Sequence, residues 1–170
     1  MTADFLDASL AGDRDLMDDL LGAAVSPEWP DYRRVVQQRA EELRAEPDLR
    51  PWLLRAIVLR AERRMVGHIG FHTRPGQPYL DALAPGGVEF GYTVFPADRR
   101  RGYAREACLA LMDWAYLVHG VTRFVVSVSP DNAPSLALVR GLDFEKVGAH
   151  VDEEDGPEDI FARHHVAPRS

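Results

Sequence analysis

The stretch from Val88 to Ser129 leaves the chain the least freedom. "VEFGYTVF" from Val88 reads as a strand, and "PADRRR" is a charged turn. Gly102 to His119 is a strong helix with Ala104, Cys108, Leu111, Ala115 and Val118 on one stripe, and "RFVVSVS" from Arg123 is a strand again. Strand, helix and strand in this order need a right-handed crossover within one sheet.

The rest of the chain is arranged around that unit. Phe5 to Leu10 reads as a short strand. Gly12 and Asp13 then open a helix that carries Leu16, Leu20 and Leu21 on one face and stops at Gly22. From Asp31 to Glu46, Val35, Val36, Ala40 and Leu43 fall at helical spacing, ending near Pro47. "WLLRAIVLR" from Trp52 and "MVGHIGFH" from Met65 predict a hairpin about the corner Ala61 to Arg64. Residues 73–87, "TRPGQPYLDALAPGG", form a long Pro/Gly-rich loop of the kind that often serves as a lid or binding wall. "NAPSLALVRG" is a short helix, and "FEKVGAH" and "EDIFARHH" are closing strands around an acidic turn from Asp152 to Gly156. The pattern predicts an α/β (α+β mixed) fold. Seven strands form one mixed sheet with helices on both faces, in a single domain over residues 1–170.

Composition removes several functions. The chain of 170 residues is 46% hydrophobic and 28% charged, enough to fill one core. No run approaches the length of a membrane span, and "MTADFLDASL" lacks the pattern of a secretory signal, so a soluble cytoplasmic protein without membrane partners is expected. The net charge of -7 disfavours nucleic acid. Cys108 is the sole cysteine and reads as a small helical hydrophobe, which excludes an internal disulfide. Lys146 is the sole lysine among 20 basic residues, leaving little room for Schiff-base chemistry or a lysine-dependent phosphate loop. His164 and His165 are adjacent and point to opposite faces of a strand, so they do not chelate, and no metal site is expected.

"RRRGYAREA", residues 99–107, stands where a strand gives way to a helix. The first N–H groups of a helix lack intrahelical partners and the helix dipole adds positive charge there, so anions are favoured. Arg99, Arg100 and Arg101 add full charges, Gly102 admits close approach to the backbone, and Ala104 keeps the first turn open. Taken alone, the stretch reads equally well as a solvated charged turn.

Arg99, Gly102 and Ala104 match the pattern Gln/Arg-x-x-Gly-x-Gly/Ala, and with it the chain resembles the GNAT superfamily of N-acetyltransferases. "VEFGYTVFPADRRRGYAREA" and "NAPSLALVRGLDFEKVG" look like the two signatures of the ribosomal-protein N-terminal acetyltransferase type, and the element order agrees over nearly the whole chain. The resemblance implies the GNAT fold, with a mostly antiparallel sheet splayed between its fourth and fifth strands. It also implies acetyl-CoA as cosubstrate, with its pyrophosphate on the amides of Arg100, Arg101, Gly102, Tyr103 and Ala104 and one arginine on the 3'-phosphate. The thioester carbonyl would meet a backbone N–H within Tyr92, Thr93 and Val94.

Acyl transfer to an amine needs a deprotonated amine, help for the oxyanion and a proton for the departing thiolate. Glu89 is the first candidate base, because the type that the chain resembles has an acidic residue there; a solvent-facing or arginine-paired strand glutamate is its bland alternative. His68 and His72 are alternative bases or ordinary strand residues. The superfamily commonly has a tyrosine seven residues after the asparagine that matches Asn132, and here Val139 stands in its place. Ser135 inherits the role of hydrogen-bond donor to the thiolate, with helix capping as the competing reading. Asp143 replaces the usual helix-stopping glycine, and aspartate tolerates left-handed geometry.

These readings predict an acetyl-CoA-dependent N-acetyltransferase acting by direct attack in a ternary complex on a primary amine, either a protein N-terminus or a small molecule such as an aminoglycoside or polyamine. A non-catalytic acetyl-CoA sensor is the alternative that Val139 suggests, and the chain is expected to be a monomer or homodimer.

Overall fold

The structure is a computed structural model describing residues 1–30, 32–152 and 156–165. Its strands form a six-stranded sheet of order β1-β2-β3-β4-β6-β5, with β1 (Arg55–Leu59), β2 (Arg64–Phe71), β3 (Val88–Val94), β4 (Arg123–Val128), β5 (Glu145–Asp152) and β6 (Gly156–His164). β3 and β4 are parallel, whereas β1–β2, β4–β6 and β5–β6 are antiparallel. The mixed, mostly antiparallel sheet agrees with the sequence reading; the count of seven strands does not.

The missing strand is a helix. Ala3–Ala11 forms α1, because Thr2 caps it by accepting from the Phe5 N–H at 3.1 Å, and Gly12 ends it in left-handed geometry at φ 75. Phe5, Leu6 and Ala8 line its buried face. Ser9 is buried with them because its hydroxyl donates to the Phe5 carbonyl and accepts the Trp29 indole N–H at 2.9 Å. The expected splay takes the fourth-strand and fifth-strand positions of the sequence reading to β3 and β4. Their parallel ladder contains two residue pairs, Val88–Phe124 and Glu89–Val125.

The chain divides into two compact units, Met1–Gly70 with Tyr92–Ala104, and Phe71–Gly91 with the chain from Arg105 onward. In the first, α2 (Arg14–Leu21) starts on the Asp13 cap and ends at Gly22 as expected, but its buried residue is Met17. Leu16 and Leu20 are each 43% exposed, since a helix this short presents only one narrow stripe inward. α3 (Arg33–Ala45) buries Val36, Ala40 and Leu43 and leaves Val35 exposed; Asp31, its expected start, lies outside the described residues. These helices enclose a core of Phe5, Leu6, Met17, Trp29, Val36 and Phe95 with their neighbours. Gly67 lets two backbones meet: a Cβ there would lie 2.1 Å from the Thr93 carbonyl oxygen.

In the second unit, α4 (Tyr103–His119) buries Cys108, Leu111, Met112 and Ala115, while Val118, expected on the stripe, is exposed at the helix end. Phe90 packs edge-on against Phe71, Phe124 and Phe144 at 6.1–6.4 Å, Phe71 stacks with Phe124, and Trp114 lies tilted against Phe71. The 73–87 loop is pinned rather than free, since Leu80 and Ala84 pack on Val125, Ile160 and Ala162. α5 (Ala133–Gly141) ends in a turn where Asp143 takes φ 59, the left-handed geometry expected of it. Lys146 on β5 pairs with Asp159 on β6 at 2.6 Å. The acidic turn after Asp152 falls on residues 153–155, outside those described. No helix among the described residues is long and apolar enough to cross a membrane.

Candidate active site

Glu89 lies in the first part of β3, where three successive residues are buried, beside the Val125 with which it is in register. It is 8% exposed, and a buried carboxylate must find partners. Ser127, two residues along β4 and so on the same face as Val125, donates its hydroxyl to Oε1 at 2.6 Å. The Tyr79 hydroxyl, carried by the 3-10 turn Pro78–Leu80 of the long loop, donates to Oε2 at 3.2 Å. His72 follows the end of β2, its backbone N–H bonded to the Glu89 carbonyl at 2.9 Å, and its Nδ1 stands 3.6 Å from Oε2. Burial alone would raise the Glu89 pKa, but the His72 contact together with the Ser127 and Tyr79 hydroxyls more than offsets it and leaves the carboxyl below its ordinary range. The imidazole is half-exposed and lies over Gly91, where its Nε2 is 3.1 Å from the position that a Cβ would take.

His72 therefore belongs to the Glu89 cluster and His68 does not. His68 sits against Trp29 at 5.3 Å and Phe95 at 6.3 Å, an aromatic setting that explains a strand histidine without chemistry.

The arginine stretch is shaped by its backbone. After the 3-10 turn Pro96–Asp98, Arg99 is extended, Arg100 takes φ 60, Gly102 takes φ 84, and α4 starts at Tyr103. Nothing lies within 4 Å of a Cβ built on Gly102, so this position is glycine for its left-handed φ. Arg99 folds back, its Nε donating to the Val94 carbonyl at 2.9 Å. Asp98 is buried and held by a two-pronged bond from Arg64 at 2.7 and 2.8 Å, with Arg101 at 3.8 Å. Arg64, then Arg101, hold its pKa below the usual carboxylate range despite burial. Arg100 is exposed. The backbone, the helix start and the guanidiniums fit an anionic group such as a pyrophosphate.

Of the remaining candidates, Tyr92 and Thr93 are half-buried and Val94 is buried. Asn132 caps α5, its Oδ1 accepting from the Ser135 N–H at 3.2 Å, so the cap is the asparagine and the Ser135 hydroxyl is not spent on it. Ser135 is half-exposed in the first turn. Val139 is 1% exposed and belongs to the core, so this position carries no proton donor. His164 is exposed, whereas His165 is buried with Nε2 2.8 Å from Asp113, in line with their opposite faces. Cys108 is buried and its thiol is pushed up to about 12 by desolvation, which makes it inert at neutral pH.

Sequence reasoning missed Ser127 and Tyr79. The signal for the first was a hydroxyl interrupting a run of valines, and for the second a lone aromatic in a proline-rich loop.

The GNAT acetyltransferase domain family matches residues 2–145. The chain is 25% identical over 92 residues to YnaD of Bacillus subtilis, an uncharacterized N-acetyltransferase, covering 54% of this chain and 49% of that one. It spans about half the length of the curated relatives that it matches. Two solved structures share its fold. A GNAT-family acetyltransferase from Bacillus anthracis is 21% identical, with TM-score 0.58 over 95% of this chain and 87% of that one. An acetyltransferase from Salmonella typhimurium, which modifies the N-terminal serine of a 50S ribosomal subunit protein, is 18% identical, with TM-score 0.61 over 98% and 94%. On the extent of the family match, this chain belongs to the GNAT acetyltransferase family.

Proposed function

We propose that the protein is an acetyl-CoA-dependent N-acetyltransferase that acts on a primary amine by direct attack in a ternary complex. The observation that carries this reading is Glu89: a buried carboxylate on β3, held anionic by Ser127, Tyr79 and His72, is a costly feature for a strand to keep without chemistry. Acetyl-CoA supplies the activated acetyl group. The amides of Arg100 to Ala104 bind its pyrophosphate, Arg99 through its bond to Val94 holds the loop against the end of β3, and Tyr92 to Val94 supply the N–H that polarises the thioester carbonyl. Glu89 draws the incoming ammonium, and the cluster that it forms with His72 directs the proton away. Ser135, in the first turn of α5 with its N–H fixed by Asn132, donates a hydrogen bond to the departing thiolate. A protein N-terminal amine is the favoured acceptor, supported by the resemblance of the two signatures to the ribosomal-protein type; the site is cytoplasmic.

The test is release of free CoA thiol from acetyl-CoA across N-terminal peptides, aminoglycosides and polyamines. Turnover should depend on one acceptor class, and both Glu89→Gln and Ser135→Ala should lower it, the first by about 100-fold. Acetyl-CoA binding with no turnover on any amine would favour a sensor instead.

A further inference from the structure

Glu89 has the wrong chemistry for the last part of its assumed role. A carboxyl held below its ordinary range stays ionised and is a weak acceptor for the proton of an ammonium. The cluster contains a better one. We infer that His72 is the catalytic base of this site, with Glu89 as the residue that positions it; the inference rests on the acetyltransferase reading above and names the group that moves the proton.

Four observations support the assignment. His72 Nδ1 is turned to Glu89 Oε2 at 3.6 Å. That separation is long for a neutral hydrogen bond, yet close enough for an ion pair, so the carboxylate does most for the imidazole after it has gained a proton. The carboxylate also favours the tautomer with hydrogen on Nδ1, which leaves the lone pair on Nε2. Nε2 lies over Gly91, in space that any side chain at that position would crowd, and Gly91 immediately precedes the Tyr92–Val94 stretch. Finally, the imidazole is 46% exposed, so a proton collected there can leave to water. Ser127 and Tyr79 occupy the other bonding positions of the carboxylate and stop it from rotating away. Glu89 faces the imidazole, Tyr79 is a further titratable group bonded to the same carboxylate, and Ser127 is neutral.

The proton count closes. The ammonium gives one proton to Nε2, and the free amine attacks the thioester carbonyl carbon. The C–N bond forms as the C–S bond breaks, the second amine proton passes to the thiolate, and imidazolium returns the first to solvent. The sum is ammonium plus acetyl-CoA giving acetamide, CoA thiol and one proton.

His72→Gln should lower kcat/KM about 100-fold, change its pH profile, and leave acetyl-CoA affinity unchanged. Added imidazole should restore part of the rate, which a purely structural loss would not allow. Gly91→Ala should lower kcat more than it raises KM, by displacing Nε2. In the unliganded protein, nitrogen NMR should find His72 with hydrogen on Nδ1, and Glu89→Gln should erase that preference. A His72→Gln enzyme with wild-type kcat/KM and an unchanged pH profile, or a wild-type His72 with hydrogen on Nε2, overturns the assignment. Absence of wild-type turnover on every amine overturns the parent reading and this one together, a result distinct from either.

Discussion

At the scale of single residues, conformation matters as much as chemical type. Arg100 and Asp143 hold positive φ without being glycine, each at a turn bordering a helix, and Gly102 holds it between Arg101 and Tyr103. A Cβ at Gly102 has open space, so its substitutions act through φ and not through a clash. Left-handed geometry costs an ordinary residue roughly 1–2 kcal/mol, enough to re-aim the loop amides. Gly102→Val should therefore weaken acetyl-CoA binding about 10-fold in a calorimetric titration, and Gly102→Asn, which tolerates that geometry, should weaken it less. Equal affinity for wild type and the valine variant would remove this loop from the binding account. Glycine here was legible because the turn pattern needs one; the inward fold of Arg99 onto Val94 was not, because nothing in three consecutive arginines says which of them is spent on the backbone.

At the scale of elements, the strands and long helices were legible from their periods, and the error fell on the shortest and most ambiguous piece. "FLDASL" alternates well enough for a strand, but the Thr2 cap and the Gly12 stop are helix punctuation, and burial of Phe5, Leu6 and Ala8 needs a helical face. Exposure of Leu16 and Leu20 has the same origin: which face of an eight-residue helix meets the core is decided by its neighbours and not by its own pattern. The Glu89 cluster was half legible. Its glutamate stands on a strand and its histidine one residue past the end of another, whereas Tyr79 and Ser127 reach it only through the course of the 73–87 loop and the β3–β4 register. Gly67 gives the sharpest test of element packing. A methyl group 2.1 Å from the Thr93 carbonyl oxygen cannot be accommodated without moving backbone, so Gly67→Ala should cost about 3 kcal/mol or more by denaturant unfolding. A loss below about 1 kcal/mol would mean that the two backbones part readily.

At the scale of the molecule, Asp98 and Glu89 give stability a direction with pH. Both carboxyls have folded-state pKa values below their unfolded ones. Their contribution is complete above the unfolded values and is lost as pH falls through the folded ones, so stability should decline below about pH 4. Asp98→Asn should flatten that decline while lowering stability at neutral pH; thermal unfolding as a function of pH separates the two effects, and an unchanged slope would leave Asp98 without a part in it.

The near-absence of lysine acquires a meaning once the chain is read as handling a reactive thioester. Guanidinium groups remain protonated and do not accept acyl groups, so surface basicity built from arginine is invisible to such a donor. The single lysine ε-amine, Lys146, is tied to Asp159 at 2.6 Å. If the chain handles acetyl-CoA as proposed, a surface whose basic side chains are guanidiniums with the single exception of Lys146 offers that donor few side-chain amines to label.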